Sequence, residues 1–325
     1  MAELTLRRLR QDTAIRELTR AVRVHPEQFI QPLFVVDGLA DREPVAGLDD
    51  VWRDTPESLM RQVEHDLEQG IGKFLLFGVP ADKQSDDFDH DFASRQIEAI
   101  KSRFGADVWL AVDVCLCSHT THGHCGVLNE AGDHVMNAPS VDALVDAAAR
   151  FSAAGADCVA PSDMMDGRVA AIRSALSAAG HERTIIMSYA AKFHSSFYGP
   201  FRLAADSAPA DSNALRDRAS YQLDPARPDD ALRSAQRDLE EGADILMVKP
   251  GLPYLDVLAR LSATIPAPWA IYQTSGEQAA IDLLARESLI NRDRAQLETW
   301  LAFARAGANA IISYAARRAR GVIGS

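Results

Sequence analysis

One phrase recurs four times in this chain and limits what it can fold into. A helix-like run is followed by a glycine, one or two small or polar residues, and a short apolar stretch. It is read at "LEQGIGKFLLFGV" (67–79), "SAAGADCVAPS" (152–162), "LEEGADILMVKPG" (239–251) and "ARAGANAIISYAA" (304–316). A glycine just past a helix supplies the left-handed residue that ends it. The apolar stretches have strand length and no in–out alternation, the pattern of strands covered on both faces of a parallel sheet. Four more stretches share that character: "QPLFVVD" (31–37), "VWLAVDV" (108–114), "TIIMSYAA" (184–191) and "PWAIYQTSG" (268–276).

Amphipathic segments lie between them. "TPESLMRQVEHDLEQG" offers Thr55 as N-cap and Pro56 at the first helical position, with Leu59, Val63 and Leu67 every four residues. "SVDALVDAAARFSAAG" begins in the same way at Ser140. Eight strand candidates alternating with helices in 325 residues predict an α/β fold, the (β/α)8 TIM barrel. An open doubly wound sheet competes, but its first strand would lead into a Gly-x-Gly-x-x-Gly turn that is absent here. Residues 31–325 form the catalytic barrel in this reading. Residues 1–30 read as an arginine-studded amphipathic arm for oligomerisation, or as a helix closing the floor of its own barrel. Residues 193–229, with Pro200, Pro209 and Pro225, make a connection long enough to serve as an active-site lid.

Composition narrows the function classes. A net charge of −12 offers no basic face for phosphate, which argues against nucleic acid as a partner. No apolar run reaches the roughly 18 residues of a membrane span. The charged start "MAELTLRRLRQDTAIREL" carries no apolar signal core, so a cytoplasmic protein is expected. Four cysteines in such a chain are no disulfide framework.

In a barrel of this kind catalytic groups sit at the C-terminal ends of the strands. Five of the 34 basic side chains are lysine, and two of the five, Lys192 and Lys249, fall in that ring. Each follows an apolar strand, where burial favours the free amine. Only an amine, never a guanidinium, attacks a carbonyl. Schiff-base chemistry is therefore expected in preference to two salt-bridged lysines. Asp113, Ser162, Asp163, Ser275, Ser313 and Tyr314 stand at other strand ends. "DVCLCSHTTHGHCG" (113–126) brings Cys115, Cys117 and Cys125 together, with Cys115 and Cys117 spaced to point the same way at a strand end. Three thiolates suit zinc. A fourth ligand from His119, His122 or His124 would make the site structural, and an open position would make it catalytic. Cys158 reads as a small core residue. Arg202, Arg216 and Arg218 lie in the lid, where guanidinium forks suit a carboxylate.

These stretches together resemble the porphobilinogen synthase (5-aminolevulinate dehydratase) family. The likeness runs over nearly the whole chain: "PLFVVDG", "LFGVP", "DVCLCSHTTHGHCG", "APSDMMDGRV", "SYAAKFHSSFYGPFR", "YQLDP", "GADILMVKPGLPYLD", "YQTSGE" and "IISYAA". The resemblance implies a cytoplasmic TIM-barrel enzyme that condenses two 5-aminolevulinate molecules into porphobilinogen with loss of two waters. It implies that Lys249 forms a Schiff base with the substrate that becomes the propionate side. Lys192 would bind the second substrate, with Arg202, Arg218 and Gln222 at its carboxylate. Ser275 and Tyr314 would hold the first carboxylate, and Asp113 and Ser162 would lie beside the reacting atoms. Cys115, Cys117 and Cys125 match the branch that uses a catalytic Zn2+. Ser234 stands where many bacterial members carry a glutamate for an activating Mg2+, so no allosteric magnesium is implied. His119 stands where the family has an aromatic residue, and the lid is longer than usual, leaving Arg216 and Arg218 to be told apart. Assembly through the arm, usually as a homo-octamer, is also implied. One Schiff-base lysine without a metal would instead define an aldolase-type lyase, and a zinc that only staples a loop would need no enzyme at all.

Overall fold

The eight apolar stretches form eight parallel strands, because each is buried on both faces and each ends where its helix returns. The structure, a computed structural model, describes residues 5–210 and 214–324. The strands are β1 (Phe29–Val36), β2 (Lys73–Val79), β3 (Trp109–Val114), β4 (Cys158–Pro161), β5 (Ile185–Lys192), β6 (Ile245–Lys249), β7 (Trp269–Tyr272) and β8 (Ala310–Ile312). Each pairs in parallel with the next, and β8 returns to β1 through Phe29↔Ile311 and Ile30↔Ile312. The sheet closes, so the open doubly wound alternative is excluded. A short hairpin of Glu43–Pro44 and Trp52–Asp54 adds to β1 at Phe34 and Val35.

The two faces of each strand feed two cores. Phe34, Leu75, Phe77, Ala111, Cys158, Met187, Tyr189, Met247, Tyr272 and Tyr314 fill the barrel interior. Leu33, Val35, Leu76, Val112, Ile186, Leu246 and Ile271 pack outward against the helices. This double burial is why the strands read as continuous apolar runs. Cys158 is a core residue as expected, and burial pushes its thiol well up. The glycines of the repeated phrase, Gly70, Gly155, Gly242 and Gly307, all have positive φ, from 79° to 109°.

Several local expectations change. The helix with Thr55 as N-cap spans Pro56–Glu68 as read, with Ser58 completing the capping box. The helix expected from Ser140 starts earlier, at Asn137, and Ser140 is buried in its first turn. There its hydroxyl donates to the Met136 carbonyl and accepts from the Val127 amide, so it ties a loop rather than capping a helix. β1 begins at Phe29 rather than Gln31. The arm, of which residues 1–4 lie outside the described residues, contains Leu6–Arg10 and a helix Thr13–Leu18. Neither of these two segments buries a residue, whereas Val24, further along the arm, is buried in the core. The lid region is partly helical, at Ser196–Tyr198 and Gly199–Ala204, and ends in the helix Pro228–Glu240; residues 211–213 lie outside the described residues. No described helix is long and apolar enough to cross a membrane.

Candidate active site

A β-bulge brings the two amines together. Ser188 of β5 pairs with Leu246 of β6, yet Ala191 pairs with Val248, so three steps along β5 match two along β6. The extra residue re-aims the strand end, and Lys192 becomes the direct ladder partner of Lys249. Both lysines are buried. The Lys249 ammonium position is boxed by rings: its Nζ lies 3.9 Å from the centroid of Tyr272, 4.9 Å from Phe201, 5.1 Å from Tyr189 and 5.5 Å from Tyr198. Burial, followed by the charge of Lys192, lowers its pKa to about 7. Lys192 Nζ donates to the Ser162 carbonyl and lies 5.4 Å from the Tyr189 ring. Asp113 stands within electrostatic reach of both lysines, and burial raises its carboxyl to about 6.

The three cysteines converge, though not for the reason read from the sequence. β3 ends at Val114, so strand alternation does not align Cys115 and Cys117. They sit on a turn closed by the His119 and Thr120 amides, both donating to the Leu116 carbonyl at 2.9 Å. With Cys125 their sulfur atoms lie within 4.8 Å of one another, all buried. Hydrogen bonds from the other two thiols drive Cys125 well down towards the thiolate. This all-sulfur donor set could hold a soft metal ion. The three histidines stay out of it. His119 packs edge-on against His90, with ring centroids 4.8 Å apart. The His122 ring accepts from the His124 amide at 3.1 Å. The His124 ring bonds the Tyr221 hydroxyl at 3.1 Å and the Leu215 carbonyl at 3.0 Å.

The lid lies folded over this mouth. Ser118 donates to the Ala205 carbonyl at 2.8 Å, the Ala210 amide donates to the His122 carbonyl at 3.2 Å, and Lys83 pairs with Asp206 at 2.7 Å. The two candidate arginines now separate. Arg218 is buried and donates to the Gly123 and Ser207 carbonyls, whereas Arg216 is exposed. Arg202 is partly buried, and burial together with neighbouring Arg218 disfavours its charge. Neither Arg202 nor Arg218 makes an ion pair among the described residues. Buried atoms without a hydrogen-bond partner gather here: Arg202 Nε, Arg218 Nε, both amide atoms of Gln222 and Asp113 Oδ1. Proteins leave few such atoms unpaired, and clusters of them mark places built for a polar ligand. Ser275 Oγ accepts from the Phe201 amide at 2.9 Å, so one end of the lid hangs on it. The Tyr314 hydroxyl lies 3.1 Å from that of Tyr272.

Sequence reasoning missed the aromatic box, because Tyr189, Tyr272 and Phe201 look like ordinary core residues. It also missed Arg168, fully buried behind β5 and paired with Asp163 at 3.5 Å and Asp238 at 3.1 Å. The signal was an arginine in "DGRV", hidden among 34 basic side chains.

A closed parallel barrel with two paired amines and a thiol cluster at its C-terminal mouth defines the class, an α/β-barrel enzyme with its site at the strand ends. A family profile described as Delta-aminolevulinic acid dehydratase matches residues 3–322. Curated relatives of that name include those of Bacillus subtilis, 41% identical over 319 residues (96% of each chain), and Methanothermobacter thermautotrophicus, 41% identical over 324 residues (98% of this chain, 97% of the relative). That of Mycobacterium tuberculosis is 40% identical over 321 residues, covering 97% of this chain and 96% of its own. Among solved structures, delta-aminolevulinic acid dehydratase (porphobilinogen synthase) from Toxoplasma gondii, in complex with the reaction product porphobilinogen, superposes with a TM-score of 0.93 at 39% identity. That match covers 98% of this chain and 91% of the other. The chain belongs to the delta-aminolevulinic acid dehydratase family.

Proposed function

We propose that the chain condenses two molecules of 5-aminolevulinate into porphobilinogen with release of two waters, in tetrapyrrole synthesis. The observation that carries this reading is the ladder pairing of Lys192 with Lys249 beside three converging thiols. An amine attacks each substrate ketone, water leaves, and the resulting iminium acidifies the adjacent carbon. Lys249, with its amine about half free at neutrality, takes the substrate destined for the propionate side, and Lys192 takes the other. Asp113 and Ser162 stand beside the reacting atoms, and a carboxyl held near 6 can both take and return a proton. Arg202, Arg218 and Gln222 bind the second substrate's carboxylate, which supplies acceptors for their unpartnered donors. Ser275 and Tyr314 bind the first. The aromatic box excludes water from the iminium at Lys249.

Cys115, Cys117 and Cys125 fit zinc, whose preference for thiolate and open fourth position suit a catalytic site. When bound there it supplies Lewis acidity toward a leaving oxygen. In this reading the N-terminal arm clasps a neighbouring subunit in a cytoplasmic homo-octamer, and Leu6, Leu9 and Leu18 offer it exposed apolar side chains. The test combines a porphobilinogen assay with metal analysis, before and after chelation. The reading expects zinc bound, product formed, and activity lost with the metal and regained with zinc. It fails if the purified chain makes no porphobilinogen with zinc present. It also fails if Lys249→Ala retains full turnover.

A further inference from the structure

Glu277 is buried in the last letter of "YQTSGE", and nothing in the chemistry above uses it. Four hydrogen-bond donors converge on its carboxylate. Oε1 accepts from the Leu252 amide at 2.5 Å. Oε2 accepts from the Gly251 amide at 3.1 Å, and from the Thr274 amide and hydroxyl at 2.7 Å each. The donors come from two places. Gly251 and Leu252 belong to the turn that follows Lys249, and theirs are the first two amides after it, since Pro250 has none. Thr274 caps the helix Ser275–Arg286, so its amide bond to Glu277 belongs to an ordinary capping box. A capping box alone would need neither burial nor the two amides from β6.

The geometry points to Glu277 as a positioning residue that fixes the β6 turn, and with it the Lys249 amine, to the helix that presents Ser275. Only a carboxylate meets the demand of four donors and no acceptor on two oxygens; a side-chain amide would set an NH2 group against at least one of those N–H or O–H groups. On the other side, the Lys249 carbonyl accepts from the Phe193 amide at 2.9 Å, so the lysine is gripped before and after. Lys192 makes no hydrogen bond to Glu277. It is held by its strand and by the Ser162 carbonyl. The two lysines share the ladder between β5 and β6, but only the turn after Lys249 hangs on Glu277, which makes the inference separable from general loss of structure.

The inference rests on the proposed Schiff-base chemistry. Its test is borohydride trapping of the full-length protein with 5-aminolevulinate, with adducts at Lys192 and Lys249 quantified separately by peptide mass spectrometry. The variants are Glu277→Gln, which keeps the shape, and Glu277→Asp, which can still cap at Thr274 but cannot reach Gly251 and Leu252. In both, adduct formation at Lys249 should slow by about tenfold to a hundredfold, the size of effect that a misplaced reacting group produces. Adduct at Lys192 should fall by clearly less than adduct at Lys249, and kcat should fall in step with the Lys249 rate. Undiminished Lys249 adduct in either folded variant overturns the inference, and so does an equal loss at both lysines. If neither variant folds, the carboxylate is a folding determinant and the inference falls. If the wild-type chain forms no adduct at either lysine, the proposed chemistry fails first and takes this inference with it.

Discussion

The titration of Lys249 is the sharpest quantity the site offers. A fall from 10.5 to about 7 means that the protein disfavours the ammonium by about 5 kcal/mol relative to water. At pH 8 such an amine is about nine-tenths unprotonated, against about three in a thousand for an ordinary lysine, a gain of about 300-fold in nucleophile. The larger cause is burial, and the charge of Lys192 adds to it. Lys192→Met removes that charge while keeping an unbranched side chain of similar length. A like charge disfavours the ammonium, so its loss favours protonation, and the Lys249 midpoint moves up while burial keeps it below 10.5. The assay is the initial rate of cyanoborohydride-trapped adduct at Lys249 with 4-oxopentanoate, a keto acid whose lack of an amine leaves the lysine as the titrating nitrogen. In the wild-type chain the rate should rise through a midpoint of about 7, and in Lys192→Met the same curve should lie at higher pH. A wild-type midpoint near 10.5, or a variant curve that moves to lower pH or not at all, would refute the electrostatic account.

Arg218→Ala should lower kcat/KM by about ten- to a hundredfold, the loss of a charge-assisted contact of roughly 1.5–3 kcal/mol. Exposed Arg216→Ala should leave it within about twofold, and steady-state kinetics on the pair decides between them. Gly123 has φ of 74° and an added Cβ would lie 2.2 Å from the Ala208 carbonyl oxygen. Gly123→Ala should therefore unseat the lid at a strain of about 2 kcal/mol, seen as faster proteolysis within 205–216. Asp238→Asn leaves the buried Arg168 with a single weaker carboxylate partner at 3.5 Å, and should destabilise the chain by about 3 kcal/mol in denaturant unfolding.

The barrel was legible because its strands are buried on both faces, which strips polar residues from the sequence, and because glycine marks the helix end in four of the repeats. Boundaries were less so: Ser140 looks like a cap in sequence because serine at the start of an apolar period usually is one, and only the tertiary contact with Val127 shows its other use. Lys192, Lys249 and the three cysteines could be singled out by their chemistry. Their mutual placement could not. The alignment of the lysines depends on a bulge that no residue type announces, and that of Cys115 and Cys117 on a turn rather than on strand alternation. Arg218 and Arg216 share a residue type and a neighbourhood, and burial alone distinguishes them. Glu277 was part of a quoted motif, but two of its four donors, the Gly251 and Leu252 amides, follow a different strand, a relation that sequence spacing does not carry.

The bulge in β5 has a consequence for how such a site can vary. Because Lys192 and Lys249 are ladder partners, the gap between their backbones is the interstrand repeat of about 4.8 Å, common to every parallel sheet. On the proposed chemistry, the spacing of the two captured ketones is inherited from backbone hydrogen bonding rather than set by any loop. Segments above the mouth can then lengthen or shorten without altering that spacing, so long as Arg202, Arg218 and Gln222 keep their places. Were the ladder regular from Ser188 onward, Lys192 would fall opposite Pro250 and the two amines would part, however intact every side chain of the site remained.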